Sequence, residues 1–162
     1  MIEYTNDQIR NLLDKIAIRE LMHEWFYLVD DRKPLEVLDR FTTEDVTFDG
    51  GSLGKADSKE EWIEMTKVMF EEQLLFTRHL VSNELIRVDG DKAMGKWYLN
   101  CPTINGEDEA LWLHGTYKIN FRRVDGEWKV SSFNFDPTYV TPYDKGWAEQ
   151  PFPEDMPAEL EW

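Results

Sequence analysis

Cysteine is nearly absent: a chain of 162 residues holds one, Cys101. That excludes an internal disulfide and suits a reducing cytoplasm. Positive charge is scarce as well. Eighteen Lys and Arg stand against 33 Asp and Glu, a formal net charge of −15, so nucleic acid and anionic membrane surfaces are poor partners. No run approaches the ~18 apolar residues of a membrane helix. The opening MIEYTNDQ has no basic segment leading into an apolar one, so neither a span nor a signal peptide is expected. Histidine is limited to His23, His79 and His114. These are too scattered for an HxH or HExxH spacing, and no metal or cofactor is expected.

Aromatic residues are abundant. Seven Trp, six Tyr and nine Phe exceed what a core of this size needs, which points to an aromatic-lined pocket, an interface, or both. The longest periodic segment spans residues 7–31. Thr5 and Gln8 form a capping box at its start, and Ile9, Leu12, Leu13, Ile16, Leu21 and Trp25 recur near the 3.6 period. His23, Tyr27 and Asp30 share one stripe of it. Pro34 suits the first turn of a short helix, PLEVLDRF, because its missing N–H would be unpaired there. A short strand, VTFDG, and a Gly-rich loop (Gly50, Gly51, Gly54) follow. Ser58 with Glu61 then opens a helix to about Glu72.

Beyond that helix the period changes from 3.6 to 2. Four strands are expected, roughly 74–88, 92–103, 110–124 and 127–136, joined by turns carrying Asp89-Gly90, Asn105-Gly106 and Asp125-Gly126. Three hairpin signals make an antiparallel meander, and helices followed by strands make an α+β fold. Five of the seven Pro lie at positions 137, 142, 151, 153 and 157 beside Tyr139, Tyr143, Trp147, Phe152 and Trp162. Proline excludes a central strand. The reading is one domain over residues 1–136, then an extended arm over 137–162 packed on the body or on a neighbouring subunit.

Asp30 and His79 are the candidate catalytic pair. A carboxylate that orients an imidazole fixes its tautomer and stabilises the imidazolium formed on proton uptake. In a cavity with little water, such a pair can remove a proton beside a leaving group without metal or cofactor. The alternative is that Asp30 caps the following turn and His79 is a hydrogen-bonded strand residue. Alternation nominates a pocket for a small hydrophobic molecule: Thr77, Val81 and Asn83 on the face of His79, then Trp97, Leu99, Cys101 and Thr103, then Leu113, Gly115 and Tyr117, then Phe133 and Phe135. Trp25 and Tyr27 would border it from the first helix. Asp49 at the Gly-rich mouth is a further candidate, with a turn role as its alternative. Cys101, with no motif around it, reads as a small buried residue, and the loop at Gly50–Gly54 lacks the spacing of a phosphate loop.

Three segments carry a resemblance: AIRELMHEWFYLVDDRKPLEVLDRFTTEDVTFDGG, RHLVSNELIRVDGDKAMGKWYL and GTYKINFRRVDGEWKV. Across residues 8–148 the chain resembles the SnoaL-like branch of the nuclear transport factor 2-like superfamily. Within it, the chain is similar to the scytalone dehydratase, bile acid 7α-dehydratase and hexachlorocyclohexane dehydrochlorinase families. The resemblance implies a cone: a strongly bent antiparallel sheet wrapped around N-terminal helices, with the pocket inside. It implies that Asp30 in LVDD and His79 in TRHLVSN are the catalytic pair. It also implies a homo-oligomer, a dimer or trimer. The chain departs from those families at Cys101-Pro102-Thr103, Gly115, Tyr117 and Asp136-Pro137, where they carry other polar residues, so none of their substrates carries over. Tyr27, Tyr98 and Tyr117 are open candidates for an acid. The expectation is a cofactor-independent lyase for a small hydrophobic, aromatic or alicyclic molecule. An isomerase or cyclase with the same pair, and a non-catalytic ligand-binding or assembly module, are its rivals.

Overall fold

The computed structural model describes residues 3–152. Three α-helices, α1 (Asn6–Asp30), α2 (Pro34–Phe41) and α3 (Lys59–Val68), lie within the first half. Seven strands follow or separate them: β1 (Thr42–Asp49), β2 (Lys55–Ala56), β3 (Leu74–Thr77), β4 (Leu80–Asp89), β5 (Lys92–Asn105), β6 (Ala110–Val124) and β7 (Glu127–Pro142). The capping box at Thr5 and Gln8 forms in both directions, and Pro34 occupies the start of α2. Ser58 caps α3 by accepting from the Glu61 N–H, while the Glu61 carboxylate takes the Asp57 N–H. One turn of π-helix, Met69–Gln73, extends α3.

The fold is α+β, a curved open sheet with helices on its concave side. Its order is β2-β1-β7-β6-β5-β3, with β4 also pairing β5. The meander β4 to β7 is antiparallel as its turns predict. Asp125 and Gly126 both take positive φ (51° and 88°), the geometry that joins two strands by two residues. The sheet as a whole is mixed, because β1 runs parallel to β7. The chain leaves β1 through α3, a crossover long enough to permit parallel pairing. No described helix is long and apolar enough to cross a membrane.

β5 shows why one face is dry. Ala93, Gly95, Trp97, Leu99, Cys101 and Thr103 alternate inward along it and are buried. They share one core with α1, whose inward residues are Asp14, Ile18, Leu21, Met22, Trp25, Phe26 and Val29. Removing each large apolar side chain from water contributes roughly 1.5–3 kcal/mol. The polar member of this face, Asp14, accepts from Arg123 Nη2 at 2.7 Å and from Trp128 Nε1 at 3.2 Å.

Three expectations need correction. Ile9, Leu12 and Leu13 are exposed (47%, 59% and 59%), since α1 is phased on Ile18, Met22, Trp25 and Val29. At 100° per residue, Ile9, Leu13 and Tyr27 lie roughly 140–180° round the helix from Met22. The strand expected over 74–88 is broken at Arg78 and His79. Opposite the break stands Pro102, which has no N–H for the ladder, and its carbonyl accepts from the Arg78 N–H at 3.2 Å. The last strand runs through Pro137 to Pro142. Pro137 sits at a register shift where Gly115 pairs with it and His114 pairs with Tyr139, a bulge that spares the missing donor. Residues 143–152 turn back along the sheet, with the Tyr143 N–H donating to the Ala110 carbonyl and Tyr143 stacked on Trp112. Pro153, Pro157 and Trp162 of the expected arm lie outside the described residues.

Candidate active site

Asp30 is the last residue of α1, and the helix end fixes its position. The Arg32 N–H donates to Val29 O and the Lys33 N–H to Leu28 O, closing the helix in a Schellman-type cap. The cap places Arg32 at φ 64°, a left-handed conformation that costs a non-glycine residue about 1 kcal/mol. Its guanidinium offsets that cost by donating to the carbonyls of Phe70 and Leu74 while lying 5.0 Å above the Phe70 ring. Arg32 thus ties the end of α1 to the π-turn. No sequence pattern singled it out.

The Asp30 side chain is only 4% exposed and accepts three hydrogen bonds. His79 Nδ1 lies 2.6 Å from Oδ1, the His79 backbone N–H donates to Oδ2 at 2.9 Å, and the Thr77 hydroxyl donates to Oδ1 at 3.0 Å. The break between β3 and β4 frees that backbone N–H from the sheet and delivers it to the carboxylate. Burial pushes the Asp30 carboxyl up, but the His79 ring, the His79 N–H and the Thr77 hydroxyl outweigh it and hold the carboxyl below its ordinary value of 3.8. An ionised carboxylate only accepts, so Nδ1 carries a proton, and the neutral form of the ring has its lone pair on Nε2. Nε2 has no partner among the described residues, and His79 lines the internal cavity.

That cavity has a volume of about 1180 Å³. Phe26 stands between the pair and the opposite wall: its ring stacks on His79 (centroids 5.2 Å) and on Tyr117 (5.3 Å). A second aromatic wall is built by Trp25, Phe48, Trp62 and Phe133, with Phe48 stacked 4.9 Å from Trp62 and Trp25 stacked 5.3 Å from Phe133. Tyr117 is buried, and desolvation raises its hydroxyl well above the ordinary 10. That hydroxyl stays protonated, with no hydrogen-bond partner among the described residues. Cys101, fully buried in the wall, has its thiol pushed up to about 11 by burial, which leaves it a poor nucleophile at neutral pH.

The structure brings most of the sequence candidates together. Asp30 and His79 pair, and Trp25, Thr77, Cys101, Thr103, Leu113, Tyr117, Phe133 and Phe135 line the cavity. Others fall elsewhere. Tyr27 is 70% exposed on the outer face of α1, so it is removed from the pocket set. His23 is exposed as well. Asp49 caps the adjacent loop instead, accepting from the Gly51 N–H at 3.0 Å. Trp97 and Leu99 are buried but fill the core, Trp97 edge-on to Phe121. Asn83 leaves the expected face at a bulge, with φ 55° at the β4–β5 register shift. Tyr98 lies half exposed near His114, away from the cavity. Sequence reasoning missed Phe26, Phe48 and Trp62. A signal for Phe26 existed, since position i−4 from a helix-end residue shares its face. No three His, Cys, Asp or Glu side chains converge as a metal site among the described residues.

Fold comparison places the chain among known proteins. It matches the structure of a hexachlorocyclohexane dehydrochlorinase with a TM-score of 0.74 at 22% identity, over 81% of this chain and 89% of that one. A provisionally named scytalone dehydratase of Novosphingobium aromaticivorans matches with a TM-score of 0.74 at 22% identity, over 82% and 89%. At these identities the likeness is one of fold. An uncharacterized protein of Mycobacterium tuberculosis is 24% identical over 128 residues, 75% of this chain and 84% of that protein. The family model of the SnoaL-like domain matches residues 10–134, and the chain therefore belongs to the SnoaL-like domain family.

Proposed function

We propose that the chain is a cofactor-independent lyase acting on a small hydrophobic molecule, with His79 as base and Asp30 as its orienting and charge-balancing partner. The observation that supports this most is the 2.6 Å contact between Asp30 Oδ1 and His79 Nδ1, which turns the free lone pair of Nε2 to the cavity. Nε2 takes a proton from the carbon adjacent to the one bearing the leaving group. The C–H electrons form the new double bond, and the leaving group departs with its bonding pair. The imidazolium, stabilised by the buried carboxylate, returns its proton to a departing hydroxide, which leaves as water, or to solvent when a halide departs. Tyr117, kept protonated by burial, donates a hydrogen bond to the polar end of the substrate. The dehydrochlorinase and dehydratase names of the fold neighbours agree with elimination chemistry.

The test is turnover by wild type and by Asp30→Asn and His79→Ala on a panel of β-hydroxy and β-halo alicyclic compounds. The expected result is loss of about 10²–10⁴-fold in kcat for His79→Ala, the range of general acid–base contributions, with ligand binding retained. Wild-type turnover that survives His79→Ala unchanged would overturn the assignment.

A further inference from the structure

The cavity wall carries no Lys or Arg among the described residues, yet it carries acids. Glu72, Glu107 and Glu109 line it from the π-turn and from the β5–β6 hairpin, where Glu109 accepts from Asn105 Nδ2. Glu72 and Glu107 have no cationic partner among the described residues. Behind the wall, the Asp30 carboxylate accepts from His79; His79 lines the cavity and Asp30 does not. Among the described residues, the Arg78 guanidinium comes within 3.9 Å of Asp30 Oδ2, but its side chain is half exposed and does not line the cavity. Tyr117, a residue 6% exposed, lines the same space, and its hydroxyl has no hydrogen-bond partner among the described residues. An anion entering here would pass the exposed carboxylates of Glu72, Glu107 and Glu109 at the mouth, lose its hydration and meet no lining Lys or Arg. Each effect is unfavourable and grows as the local dielectric falls.

We infer that this cavity selects against anions: its substrate is a neutral or cationic ring compound, and carboxylates, phosphates and phosphorylated carrier thioesters are excluded. This deepens the reading above and rests on the cavity being the site of that reaction. Glu72 and Glu107 set the preference at the mouth. A lining without Lys or Arg among the described residues sets it within.

The experiment is calorimetric titration of the full chain at neutral pH with three probes of similar size: 2-naphthylmethanol, 2-naphthylmethylammonium and 2-naphthoate. The alcohol and the ammonium are expected to bind at least about tenfold more tightly than the carboxylate. A Glu72→Gln/Glu107→Gln variant is expected to narrow the gap between ammonium and carboxylate while leaving the alcohol unchanged. Carboxylate binding as tight as the alcohol, or no binding by any probe at millimolar concentration, would overturn the inference. The two readings fail separately. Anion exclusion without turnover on any panel compound removes the lyase and keeps the selectivity, whereas turnover of an anionic substrate does the reverse.

Discussion

The rings of Phe26 and His79 lie stacked, with centroids 5.2 Å apart and planes inclined by 19°. The other side of Phe26 meets Tyr117 in the same manner, at 5.3 Å and 21°. One side chain of α1 therefore sets the separation between the imidazole and the free hydroxyl. Phe26→Ala should cost about 3–5 kcal/mol of stability, as large-to-small core changes do. Phe26→Leu, closer in volume, should cost less and still lower kcat more than it raises KM, because His79 loses its stacking partner. Urea midpoints and steady-state rates on both variants check this. Unchanged kcat in a folded Phe26→Leu protein would show that His79 needs no such support.

Acid sensitivity follows from Asp30. Its carboxyl is held below 3.8 in the folded protein, so the unfolded chain binds the proton first as pH falls. The stabilisation is complete above about pH 4–5, erodes below the ordinary carboxylate value, and is gone beneath the folded one. The stability gap between wild type and Asp30→Asn should therefore shrink on acidification from pH 6 towards pH 3. A gap that stays constant over that range would show that Asp30 contributes no more as a carboxylate than as a neutral group.

Away from the cavity, Asp14 holds Arg123 and Trp128 beneath α1, and the Arg123 guanidinium lies 4.2 Å above the Trp128 ring. Asp14→Ala leaves a buried indole N–H without its acceptor and takes one of two carboxylates from Arg123, the other being Asp91. The expected loss is about 2–4 kcal/mol in unfolding free energy, with probe affinity unchanged. Affinity that fell along with stability would mean this end of the helix shapes the cavity.

Cys101 reports on the wall. With its thiol raised to about 11, reaction with an aromatic disulfide reagent at pH 8 should be slow in the native protein and fast in urea. A cavity ligand should slow the native reaction further. Native labelling as fast as in the denatured chain would contradict a closed, dry wall at that position.

Much of this was written locally in the sequence. The capping box at Thr5, Pro34, the Asp-Gly turns and the period-2 strands depend on neighbours within a few residues, and they form as read apart from the break at Arg78 and His79 and the run of the last strand to Pro142. The pairing of Asp30 with His79 came from a helix end and a strand start, two positions that a bent sheet brings together. What was not legible is phase and interruption. Two apolar stripes run along α1, and only tertiary packing decides that Ile18, Met22, Trp25 and Val29 turn inward while Ile9, Leu13 and Tyr27 do not. His79 reads as a strand residue, yet its function as a ligand of Asp30 depends on the ladder stopping at Pro102. Phe48 enters the wall from β1 and Trp62 from the α3 crossover, and no local pattern announces either.

The tautomer of His79 tests the account most directly, and it needs no substrate. Nitrogen-15 spectra of histidine-labelled protein, taken at a pH where the ring is neutral, distinguish a protonated Nδ1 from a protonated Nε2. The pairing with Asp30 predicts the proton on Nδ1 in wild type. In Asp30→Asn, where the amide can donate to Nδ1, it predicts a shift towards Nε2. A wild-type ring protonated at Nε2 would leave no base facing the cavity and would contradict the mechanism.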